Sequence, residues 1–148
     1  MKTLTWQVFI CAALVLGASG LARAGDRDHG CTLRTLQGTY VFSATGFNIV
    51  AGVAQPKAIV EVIRFNGDGT LSVPAATLSA NGVIIRSLPD GFGTYTIEGD
   101  CTGTIAFNGP TFDTFISRDG DTLLMIQTNP NTVFQGKATR RPRERDRF

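Results

Sequence analysis

From residue 38 to residue 139 the chain shows no helical period long enough to support a helix. It shows short runs rich in Val, Ile, Phe, Tyr and Thr, broken by Gly, Asn, Asp and Pro. That pattern restricts the fold to the all-β class. The runs are Gly38 to Phe47, Ala58 to Phe65, Thr70 to Leu78, Val83 to Ser87, Phe92 to Glu98, Thr102 to Phe107, Thr111 to Ser117, Thr122 to Thr128 and Thr132 to Thr139. Most breaks carry turn chemistry: Asn66-Gly67-Asp68-Gly69, Asn81-Gly82, Asp90-Gly91, Asn108-Gly109-Pro110 and Asp119-Gly120-Asp121. These residues tolerate the positive φ of tight hairpin turns, so consecutive runs are expected to pair as an antiparallel meander. A meander this long has to curl to bury one face, and closure also removes its exposed edges. The expectation is a single antiparallel β-barrel of about eight strands, with a β-sandwich as the alternative. Thr32 to Gln37 can supply one helical turn before the first strand.

The ends differ from this body. Met1-Lys2 is a short basic start, Leu4 to Ala18 is mostly apolar, and Ala22-Arg23-Ala24 closes the run with small residues around an Arg. This is the layout of a secretory signal peptide over residues 1–24, cleaved after Ala24, and its short basic start points to a bacterial periplasm or medium. No segment approaches the roughly 20 apolar residues of a membrane-spanning helix. Gly25 to Gly30 is polar, and the barrel domain is expected over residues 25–139. Residues 140–148 (RRPRERDRF) form a basic tail with five Arg against Glu144 and Asp146. A solvated tail that aids solubility is one reading, and contact with an anionic envelope surface is the other.

Cleavage also limits the chemistry. It removes Cys11 and leaves Cys31 and Cys101, an even pair in an oxidising compartment, for which a disulfide is the default. Such a bond closes a loop of about 70 residues, worth about 4 kcal/mol in the chain-entropy model. Lys2 and Arg23 also leave, so twelve basic residues face twelve acidic ones. A net charge of zero argues against nucleic acid as the main partner. The chain's one His is His29, before the first strand. A Ser-His-Asp triad or a multi-His metal site in the body is therefore not expected, nor is a bound metal or cofactor. Asn66 to Thr70 starts like a calcium loop, but Thr77 stands where the closing acidic residue belongs.

Several motifs carry a resemblance. Leu36-x-Gly38-x-Tyr40, Phe65-x-Gly67-x-Gly69, Gly93-Thr94-Tyr95-x-Ile97, Asp100-Cys101-Thr102-Gly103-Thr104, Arg118-Asp119-Gly120-Asp121 and the segment from Ile126 to Arg140 together resemble small secreted bacterial proteins of unknown function. That group is similar in architecture to allene oxide cyclase-like and lipocalin-like (calycin) barrels. The resemblance implies a ligand-holding barrel, or a cyclase that folds a flexible apolar substrate inside one. It also implies a closing contact between the aromatic ring of the Gly-x-aromatic start, here Tyr40, and a late Arg, here Arg140. It transfers no catalytic residue.

Candidate cavity groups come from strand alternation. In Ala58 to Phe65, Ile59, Glu61, Ile63 and Phe65 share one face, while Ala58, Val60, Val62 and Arg64 share the other. Glu61 with Tyr40 is the expected cavity pair, with Arg64 in its place if the faces are reversed. Glu98 lies on a face with Phe92, Thr94 and Thr96, and Asp113 on one with Phe115. A carboxylate among aromatic rings can have a raised pKa and act as acid or base. The nine Phe beyond the signal either fill the core or line a pocket. Three functions follow as expectations. One is a carrier of a small apolar ligand in the envelope or medium. Another is an isomerase or cyclase acting inside the barrel. The last is a structural or interaction domain with a solid core.

Overall fold

Each of the nine runs forms a strand. In the computed structural model, which describes residues 30–86 and 91–142, these are β1 (Gly38–Val50), β2 (Val53–Phe65), β3 (Thr70–Ala80), β4 (Val83–Arg86), β5 (Gly91–Ile97), β6 (Thr102–Phe107), β7 (Thr111–Ile116), β8 (Thr122–Gln127) and β9 (Thr132–Arg140). A 3₁₀ turn over Leu33–Leu36 precedes them. All pairings are antiparallel, and β1 contacts both β2 and β9 while β2 also contacts β3. The ring β1–β2–β3–β5–β6–β7–β8–β9 therefore closes as an eight-stranded barrel, with β4 outside it. The signal segment, His29 and residues 143–148 of the tail lie outside the described residues.

Strand β3 explains how one strand leaves the ring. Its first half, Thr70 to Val73, pairs with β5, and its second half, Thr77 to Ala80, pairs with β4. The β2–β3 register shifts between Val62 and Arg64, an irregularity of the kind that bends a strand. The β1–β2 hairpin extends further than the sequence pattern indicates. Ala51 and Gly52 adopt φ of 50° and 78°, the same handedness as Asn81 (47°) and Gly82 (84°) in the β3–β4 turn. Both are two-residue turns with positive φ throughout, but Ala51-Gly52 lacks the Asn-Gly signature that marks one in a sequence.

One end of the barrel is a packed floor. Leu36, Tyr40, Phe65 and Tyr95 are buried there. Edge-to-face contacts join Tyr40 to Phe65 (5.2 Å) and Phe65 to Tyr95 (5.0 Å). The guanidinium of Arg140 lies 4.8 Å from the centre of the Tyr40 ring. It donates to the carbonyls of Thr35 (2.6 Å), Gln37 (2.5 Å) and Gly120 (3.0 Å), and to the Asp121 carboxylate at 3.0 Å. The expected Tyr40–Arg140 contact is thus present. A disulfide joins Cys31 to Cys101 across 70 residues of sequence, with the Cα atoms 4.9 Å apart. It fastens the segment ahead of the 3₁₀ turn to the β5–β6 turn, so the covalent tie also sits at the floor.

Candidate functional site

The inward faces of the strands form rows around the barrel, and the rows differ in bulk. Pairing places Ala76, Glu61, Phe42 and Ala138 side by side on one row. The next row toward the open end holds Leu78, Ile59, Ala44 and Gly136, and the one beyond holds Ala80, Lys57, Gly46 and Phe134. Small residues thus occupy inward positions in all three rows, whereas the floor row carries Ile63, Tyr40 and Arg140. At Gly136 the strands also come close: a Cβ there would lie 2.2 Å from the Ser43 carbonyl oxygen. The unfilled volume is a cavity of about 680 Å³ above the floor, open at the end away from the disulfide. Phe42, Ile59, Val73, Leu78, Phe107, Phe112 and Phe134 supply most of its apolar wall. The size and the apolar lining match those of small-molecule sites in barrels.

Among the described residues, two ionisable side chains reach this wall, both from β2. Glu61 is only 8% exposed, and its carboxyl has no hydrogen-bond or ionic partner among the described residues. Burial among apolar groups penalises the charged form and pushes its pKa up to about 7. Lys57, four residues nearer the mouth, faces Gly46 across the β1–β2 pair. With no side chain at Gly46 to obstruct it, Lys57 lies over the ring of Phe134, its Nζ 4.0 Å from the ring centre. The ammonium donates to Gln127 Oε1 at 2.8 Å, and Gln127 Nε2 in turn donates to Asn129 Oδ1 at 2.9 Å. Burial holds the Lys57 pKa below its ordinary value. The ammonium is therefore fixed at the mouth by an amide relay and an aromatic face.

Of the candidates read from the sequence, Glu61 is the one that faces the cavity. Tyr40 is not its partner: the Tyr40 hydroxyl donates to the Gly120 carbonyl in the floor. Arg64 points outward and is exposed, because β2 turns its odd-numbered residues inward. Glu98 and Asp113 are exposed as well, so neither carboxylate sits among buried rings. The Phe residues divide. Phe42, Phe107, Phe112 and Phe134 line the cavity, Phe92 borders it while largely exposed, Phe65 packs the floor, and Phe47 and Phe115 are exposed on the outer wall. Lys57 lies one residue outside the run Ala58 to Phe65 by which the sequence marks this strand. Continuing the alternation from Ile63, Glu61 and Ile59 by one more step would have placed Lys57 on the inner face.

Comparison with protein-family models, curated proteins and solved structures finds no match for this chain. The eight-stranded antiparallel closure is consistent with a calycin-like fold.

Proposed function

We propose that this is an exported barrel protein that holds a small apolar ligand in its mouth-side cavity. The observation that carries the reading is the cavity of about 680 Å³, apolar over most of its wall and closed by a packed floor. A solid-core structural role does not account for that volume. Export is supported by the signal-like segment 1–24 and by the Cys31–Cys101 disulfide, a bond that persists in oxidising compartments. No helix among the described residues is long and apolar enough to cross a membrane. A cavity-filling variant tests the reading. Ala76→Phe places a ring on the cavity wall, in the row of Glu61 and Phe42. Titration with an environment-sensitive apolar fluorophore should give saturable one-site binding to the wild type and at least tenfold weaker binding to the variant. Equal binding would locate the fluorophore elsewhere and defeat the proposal.

A second reading, an isomerase or cyclase, draws on Glu61 alone. A carboxyl with a pKa near 7 facing an apolar cavity is suited to donate or accept a proton at neutral pH. Turnover of a bound ligand that disappears in Glu61→Gln while binding persists would favour this reading over simple carriage.

A further inference from the structure

Resting on the ligand-binding reading, we infer that the cavity takes an apolar carboxylic acid bearing a second polar group, a hydroxyl, along its chain. The carboxylate would sit on Lys57 at the mouth and the hydroxyl would reach Glu61 nearer the floor. Three observations lead there. The first is that Lys57 and Glu61 are the two ionisable groups on the described wall, and everything between them on β2 that faces inward is Ile59. Four residues along one strand face separate their Cα atoms by about 13 Å. A ligand serving both groups is therefore an extended chain with a polar group near each end.

The second observation concerns Lys57. Its ammonium has three donors, of which the Gln127 amide oxygen takes one, and no acidic side chain pairs with it among the described residues. The Gln127–Asn129 relay holds it against Phe134, so the charge is already positioned for an anion that arrives through the mouth. The third observation is that Glu61 is more than nine-tenths buried and has no partner. No buried side-chain oxygen or nitrogen among the described residues lacks a partner, so the unpaired Glu61 oxygens open onto the cavity space, where a ligand donor can meet them. A hydroxyl supplies a donor to the carboxylate and an acceptor to the carboxylic acid. It therefore serves Glu61 in either protonation state, as a pKa near neutrality requires. An amine would suit the ionised form only, and its charge would have to pass Lys57.

Calorimetric titration of the purified full chain with decanol, decanoate and ω-hydroxydecanoate at neutral pH tests this. A decanoate-length chain is of the order of the Lys57–Glu61 spacing. ω-Hydroxydecanoate should bind about fivefold tighter than decanoate, the worth of one net hydrogen bond. Glu61→Gln, which keeps the shape, and Glu61→Leu, which removes the polar group, separate the contributions: Leu should abolish that margin while decanoate still binds. Lys57→Met should weaken both acids about tenfold and leave decanol unchanged. Equal affinity for the three ligands, or a margin that survives in Glu61→Leu, would overturn the inference while leaving an apolar-ligand carrier intact. Failure of all three to bind would remove the ligand-binding reading together with it.

Discussion

Replacing Glu61 with Gln should stabilise the protein at neutral and alkaline pH and leave it unchanged in acid. The side chain is mostly buried with no partner among the described residues, and burial pushes its pKa up to about 7 from the ordinary 4.5. Between those two values the folded protein binds more protons than the unfolded chain, so stability falls as pH rises. The stabilisation associated with the protonated form is fully present below the unfolded value and is lost once pH passes the folded one. Each pKa unit is worth about 1.4 kcal/mol, so the full loss is about 3 kcal/mol. Gln is neutral at every pH and nearly the same shape. The variant should therefore match the wild type at about pH 4 and exceed it by about 3 kcal/mol at about pH 8.5, in urea unfolding followed by tyrosine fluorescence. For a domain of this size that corresponds to about 10 °C in Tm. A gap that is the same at both pH values would show that the carboxyl is not desolvated. A gap that opens toward acid would show that Glu61 is held ionised by a favourable contact. Either result would refute the reasoning.

Two further changes test the barrel itself. Arg140→Met removes the charge-assisted bonds to three carbonyls and the contact with the Tyr40 ring, and should cost about 2–4 kcal/mol in chemical unfolding. Arg140→Lys should recover less than half of that, because a lysine cannot reproduce the planar fork. Ala51→Asn should gain about 0.5–1 kcal/mol, since Ala51 holds a φ of 50° that Asn tolerates better. The same unfolding assay reads that gain, and a loss would mean that the turn relaxes to another geometry in solution.

Much of the architecture is legible in the sequence, for identifiable reasons. Hairpin turns need positive φ, and Asn81-Gly82 announces it by residue type, which fixes the antiparallel order along much of the chain. Of the three cysteines, the two outside the signal-like segment are the pair joined as Cys31–Cys101. Ala51-Gly52 carries no such signature, so the projecting end of the β1–β2 hairpin is not visible beforehand. The exclusion of β4 from the ring is also hidden, because it depends on β3 dividing its length between two partners. At the site, alternation along β2 identifies Glu61 but leaves open which face is inside. That is decided by the pairing of β2 with β1, where Glu61 meets Phe42. Glu98 and Asp113 look equivalent to Glu61 in sequence, since each shares a face with a Phe. They differ because Phe92 and Phe115 are themselves exposed, at 68% and 56%. The cavity has no local signal at all: its wall is assembled from residues of every strand, which become neighbours only when the barrel closes.

Native mass spectrometry of the protein purified from its own source, followed by organic extraction, tests the central claim most directly. The account predicts a population heavier than the disulfide-bonded chain by one small organic molecule, which the extract then contains in equal amount. It also predicts that the extracted protein takes up one equivalent of ω-hydroxydecanoate. A chain that carries nothing as isolated and remains at its apo mass when that compound is supplied would contradict it.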